Sequence, residues 1–233
     1  SDPAPIANLI PPLEAGAWNG IVAAGVLAFF AFVGFEDIAN VAEEVKQPGR
    51  TLPRGIILTL IIATLIYFTV VSVVVLVVPM SALVGSAAPL ALIFESAGPQ
   101  VSTLFSIIAI IATVNGALIQ VIMASRVLYG LAAQGSLPAV LANVNGITHT
   151  PLLATGLVVA IIFVLAYFLP IGELAEMTST IVLIVFAFVN MALLRLKWTG
   201  TPPTGDVFQV PFWVPVLGLL SSGGLLLAGY FLS

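Results

Sequence analysis

The sequence has no cysteine and a single histidine, His149. Disulfides, thiolate zinc sites and thiol nucleophiles are therefore excluded, and so is a histidine-rich metal centre. Charge is scarce as well. Only 7% of the 233 residues are Asp, Glu, Lys or Arg, against about 25% in a soluble domain. Six basic residues face ten acidic ones, so there is no basic footprint for nucleic acid. Residues 1–15 are polar and proline-rich without a basic start, which does not fit a signal peptide. What the chain has in excess is apolar surface, 61% hydrophobic residues and a mean hydropathy of +1.22. That is too apolar for disorder and leaves too little polar surface to face water. An integral membrane protein is the class that remains. No residue pattern asks for a cofactor.

Six runs approach the roughly 20 apolar residues that cross the hydrocarbon core. They are Trp18 to Val41, Gly55 to Val78, Val101 to Leu131, Leu152 to Leu169, Leu174 to Leu194 and Phe212 to Leu232. Residues 1–17 precede them as an extracellular segment. Val71 to Val78 is β-branched, but a membrane barrel uses alternating segments of about 10 residues, and these runs are continuous. The expected fold is all-α, a polytopic membrane helix bundle. Lys46, Arg50, Arg54, Arg126, Arg195 and Lys197 all fall on one side, and Glu14, Glu95, Glu173 and Glu176 on the other. The basic side is expected to be cytoplasmic, which puts both ends of a six-span chain outside. Residues 80–99 read as an outer loop with a short interfacial helix, and 135–150 as an inner loop with a turn or two of helix. Pro202, Pro203 and Gly205 make a third inner connection irregular.

The first span carries the chemistry. Phe29 to Phe35 is an aromatic run around Gly34, and Glu36 and Asp37 follow at once. From Trp18, Glu36 lies about 27 Å along a helix at 1.5 Å per residue. An acid held inside a membrane is a functional candidate. A helix interrupted at Ala31 to Gly34 would expose carbonyls suited to an ammonium group, and a second half-helix starting near Phe35 would favour Glu36 at its N-terminus. An unbroken helix with an acidic interfacial end fits the same pattern.

Gly34-Phe35-Glu36, Ala42 to Lys46, Pro48, Arg50 and Pro53 resemble the sixth-helix signature of the amino acid–polyamine–organocation transporter superfamily. Ser125 to Gly130, Gln134 to Pro138 and Thr150-Pro151 are similar to that family's stretch from the eighth helix towards the ninth. The two motifs occur in order, and the resemblance runs from about Trp18 to the end. It implies the sixth to eleventh helices of an amino acid permease. In fold terms that is one inverted repeat of the leucine-transporter type plus one extra helix, with further N-terminal helices expected in the same transporter. It also implies that the substrate amino group meets carbonyls at Phe30, Ala31 and Val33, with Phe32, Gly34 and Phe35 shaping the pocket. The implied partners are an amino acid or amine, a coupling proton or sodium ion, and the bilayer of a bacterial plasma membrane.

Other residues weigh less. Thr113, Gly116, Gln120 and Ala124 share one face of the third span, with Asn115 on another. The resemblance makes Asn115 a candidate pocket residue, and interhelical hydrogen bonding is the plainer reading. Glu43 and Glu44, beside Lys46 and Arg50, read as a gate or a solvated helix end, with Arg126 as a candidate partner across the inner face. Glu36 reads as a hinge residue together with Gly34. Trp18, Trp198 and Trp213 sit at span ends, as interfacial anchors do. Gly218, Ser222, Gly224 and Ala228 suggest close helix contact. The expectation is a secondary transporter working by alternating access, not an enzyme. Two other readings remain open. One is a membrane-embedded carboxylate or metal enzyme built on Glu36, Asp37, Glu43 and Glu44. The other is a non-transporting structural half of a larger transporter.

Overall fold

The structure, a computed structural model, describes residues 14–86, 88–95, 98–200 and 208–232. Every regular element among them is helical. The long helices are α1 (Ala15–Phe30), α2 (Pro48–Val77), α5 (Pro99–Ala133), α6 (Leu152–Phe168), α7 (Ile171–Trp198) and α8 (Trp213–Leu232). Short helices α3 (Met80–Leu83) and α4 (Pro89–Glu95) lie between α2 and α5, and two 3-10 segments cover Phe35–Glu44 and Ala139–Ala142. Residues 1–13 of the expected extracellular segment, and Pro202, Pro203 and Gly205, lie outside the described residues.

Length and composition make the chain a polytopic membrane protein. Among the described residues five helical stretches are long and apolar enough to cross a membrane, the first counted from Gly16 to Glu44 across its 3-10 part. The fourth apolar run, Leu152 to Leu169, forms α6, a helix of 17 residues, at the lower end of what spans a bilayer. Apolar side chains point outward all along these helices. Phe68 is 72% exposed and Ile111 64%. In water that surface would drive aggregation. In hydrocarbon it costs nothing, and the backbone bonds closed within each helix satisfy the polar groups that lipid cannot. Several helices extend past their apolar runs. α2 starts at Pro48, and Arg50 and Arg54 are compatible with a helix that continues into the interface; Pro53 lies inside it, where proline has no amide to give the carbonyl four residues back.

The described chain divides into two compact units, and the division passes through α2 and α6. One unit spans residues 62–164. Its small core is Ala132 of α5, Leu141 of the 3-10 segment and Ala154 of α6, with Leu128, Leu137 and Ala142 packed on it. Phe94 of α4 stacks on Phe105 of α5 at 4.3 Å between ring centres. The inner connection after α5 turns at Gly135, φ 81°, and the Asn145 side chain accepts the amides of Ile147 and Thr148 at 2.9 and 3.0 Å.

The other unit comprises the described parts of Pro12–Ile61 and Leu165–Ser233. Here α7 packs on α8, and α1 packs on both. Glycine allows the approach of α1 and α8. A β-carbon on Gly25 would meet Leu225 at 3.6 Å, and one on Gly229 would meet Val26 at 3.5 Å. Leu183, Ser179, Pro215 and Ser222 are buried in this unit. Lys197 ends α7 and its ammonium donates to the carbonyl of Val210, which ties the start of α8 to a helix C-terminus that favours positive charge.

Candidate functional site

The α1 helix stops in the middle of its apolar sequence. Ala31 to Gly34 form turns, and the chain continues as the 3-10 segment Phe35–Glu44. The hydrogen bonds show how. The amides of Ala31, Phe32 and Val33 donate to the carbonyls three residues back, Ala28, Phe29 and Phe30, at 3.0 to 3.1 Å. In a continuing α-helix the Phe30 carbonyl would take the amide of Gly34. Here it takes Val33. The Gly34 amide instead donates to Oε2 of Glu36 at 2.8 Å. Gly34 has φ 119° and ψ −16°, a conformation that a residue with a β-carbon rarely adopts. Glycine thus makes the turn sterically allowed, and Glu36 caps the amide that the turn releases. A carboxylate in the first turn also suits the positive end of the second helical segment.

The acidic neighbours have local partners or local roles. Asp37 accepts from the Asn40 side chain at 3.2 Å, and its own amide donates to Gly34 O at 3.3 Å. The 3-10 segment bends at Val41 (φ −104°, ψ 16°), and Glu43 and Glu44 close it. After Gln47, which has φ 51°, the chain enters α2. The Thr51 hydroxyl donates to the Lys46 carbonyl at 2.9 Å and holds that corner. Among the described residues no three His, Cys, Asp or Glu side chains come together in a way that would hold a metal ion.

A residue that composition could not single out spans the interruption. Phe186 of α7 meets Phe29 edge-on, ring centres 5.8 Å apart, and Phe35 at 5.7 Å. Phe29 belongs to the last turn of α1 and Phe35 opens the next segment, so one ring touches both sides of the break. Phe186 is one of many phenylalanines in apolar runs, and nothing in its neighbours marks it. Phe30, Ala31, Phe32, Val33, Gly34, Phe35 and Glu36 lie together at the break. Asn115 and Arg126 stand on α5 in the other unit, both exposed. The hydroxyl of Thr113 turns back to the Ala109 carbonyl at 2.9 Å, which is a satisfied helix residue.

The described residues thus form an all-helical polytopic membrane protein whose first span is interrupted at Ala31–Gly34 and resumes as a 3-10 segment. The chain belongs to the amino acid permease family, whose sequence model matches residues 8–232. It is 30% identical over 207 residues to the branched-chain amino acid permease BcaP of Bacillus subtilis, covering 88% of this chain and 44% of that protein. It is 32% identical over 216 residues to the protein of the same name in Lactococcus lactis, covering 91% and 46%. It is 33% identical over 188 residues to the mitochondrial cationic amino acid transporter 3 of Arabidopsis thaliana, covering 79% and 30%. The chain therefore spans less than half the length of these relatives. No solved structure matches it significantly.

Proposed function

We propose that this chain carries the substrate-binding break of a secondary active amino acid transporter that works by alternating access. The observation that carries the reading is the interruption at Ala31–Gly34, in a helix otherwise apolar enough to span a membrane. Irregular backbone at that depth is tolerated where it faces protein, a cavity or a ligand. The relatives named above are permeases for branched-chain and for cationic amino acids. Those substrates differ in their side chains and share an α-ammonium and a carboxylate. Recognition through backbone groups, which is blind to side chains, suits that shared part. In this reading the carbonyls around Phe30, Ala31 and Val33 receive the ammonium. The Phe30 carbonyl already accepts one bond from Val33, and a carbonyl oxygen has a second lone pair to offer.

Phe32, Gly34 and Phe35 shape the pocket wall at the break, and Asn115, on the other unit, is a pocket candidate by the family resemblance alone. Gly34 and Glu36 form the hinge, Glu43 and Glu44 act at the inner gate, and Arg126, on the other unit, is a gate candidate by the family resemblance alone. The remaining helices of the transporter supply the site for the carboxylate, and a proton or sodium ion provides the driving force. Lys46, Arg50, Arg54, Arg195 and Lys197 face the cytoplasm of a bacterial plasma membrane. The test is uptake of a radiolabelled amino acid panel into proteoliposomes, with and without proton and sodium gradients. It is run on this chain and on the complete reading frame that contains it. Gradient-dependent uptake by the complete protein is expected. Absence of both uptake and binding for every amino acid in the panel would overturn the reading.

A further inference from the structure

Asn190 lies one turn after Phe186 on α7, half-buried, and its Nδ2 donates to the Phe186 carbonyl at 2.8 Å. The other end of its carboxamide enters α8. A β-carbon built on Gly218 would overlap Asn190 Oδ1 and stand 2.7 Å from its Cγ. Real atoms do not approach so closely, so the amide occupies the space that a larger residue at 218 would need. The Gly218 carbonyl in turn accepts the Ser222 hydroxyl at 2.8 Å, which leaves the glycine's open face to Asn190. An amide in an apolar interface is costly unless it is bonded. Here its Nδ2 is bonded to the helix that carries the ring touching both Phe29 and Phe35.

We propose that Asn190 is a positioning residue for the break in the first span. Keyed into the notch at Gly218, it fixes the rotation of α7 on α8 and so holds the Phe186 ring against both sides of Ala31–Gly34. Its relevance to transport rests on the reading given under Proposed function, but its geometry does not.

This chain contributes no cysteine, so Val33→Cys serves as the single reporter once any cysteine elsewhere in the complete protein is replaced by serine. Labelling by a membrane-impermeant maleimide then reads access to the break without any substrate. Gly218→Ala should change the labelling rate by about threefold or more, within the coupling seen between residues in contact. Asn190→Ser should compensate. A serine hydroxyl can still reach the carbonyl four residues back, as Thr178 does to Leu174, and it vacates the notch. The double variant should label like the parent, and the KM for the amino acid should move in the same order while the amount of inserted protein stays level.

Unchanged labelling in Gly218→Ala, or no recovery in the double variant, would overturn the proposal. If Gly218→Ala does not accumulate in the membrane, recovery of inserted protein by Asn190→Ser supports the keying, and its failure to recover overturns it. If labelling responds as described and no amino acid binds the parent, the transport reading fails and the positioning role stands.

Discussion

Replacing Gly34 by alanine is the sharpest perturbation of the candidate site. At φ 119° and ψ −16° a β-carbon is held in a sparsely populated region at a cost of about 1–3 kcal/mol. The chain can escape that strain by returning residue 34 to a negative φ. The amide of residue 34 would then swing back within reach of the Phe30 carbonyl, and the α-helix would run on through the break. That rearrangement gives up the 2.8 Å bond to Glu36, so the two costs compete and neither is met in full. Both residues are half-buried, which discounts the charge-assisted bond towards the lower end of its usual range of about 1.5–3 kcal/mol. A net penalty of about 1–2 kcal/mol on the broken form corresponds to roughly a 5- to 30-fold weaker binding of a ligand that needs the break. The assay is equilibrium binding of a radiolabelled amino acid to the complete purified protein, alongside hydrogen exchange of the amides from Ala31 to Asp37. Weaker binding together with slower exchange is the expected pair, because a resealed helix protects those amides. Parental affinity with unchanged exchange would refute both the strain argument and the placement of substrate at the break.

Glu36→Gln keeps the shape of the cap and removes its charge. Binding should weaken by about 1 kcal/mol, near fivefold, the difference between a charge-assisted and a neutral hydrogen bond, and a titration of the same ligand checks it. Phe186→Leu removes two ring contacts of about 0.5–1.5 kcal/mol each. The thermal midpoint in detergent should fall and the KM should rise; an unchanged KM would separate the ring from the site. Single cysteines introduced at Lys46 and Lys197 should label from the face of oriented vesicles opposite to one introduced at Glu173, and labelling of all three from one face would refute the sidedness.

Much of this architecture follows from one physical constraint. The thickness of the hydrocarbon core sets a run of about 20 apolar residues, so the long helices announce themselves in the sequence without any knowledge of packing. Their ends do not, because Pro48 to Arg54 shows no apolar signal and yet forms the first turns of α2. The site divides in the same way. Gly34 and Glu36 stand out locally, since a glycine and an acid are conspicuous among phenylalanines, and the bond between them is a contact between near neighbours in the chain. That Gly34 takes φ 119° is set by how the two segments pack, which the residue alone does not encode.

Gly218 carries the argument one step further. Its spacing with Ser222, Gly224 and Ala228 suggested close helix contact, the usual meaning of small residues four apart in a membrane. The structure gives two of these glycines different surroundings. Nothing stands within 4 Å of a β-carbon placed on Gly224, whereas the space beside Gly218 is taken by the Asn190 carboxamide. In the first case glycine is a small residue on a helix surface, and in the second it is one half of a lock whose other half lies 28 residues earlier in the sequence. A pattern of small residues records only that something comes close. Which residue comes close, and whether it is tied to a functional element, depends on the rotation of α7. Phe186 reaches the break, and Asn190 meets Gly218, only through that rotation, which is why the sequence left both of them unmarked.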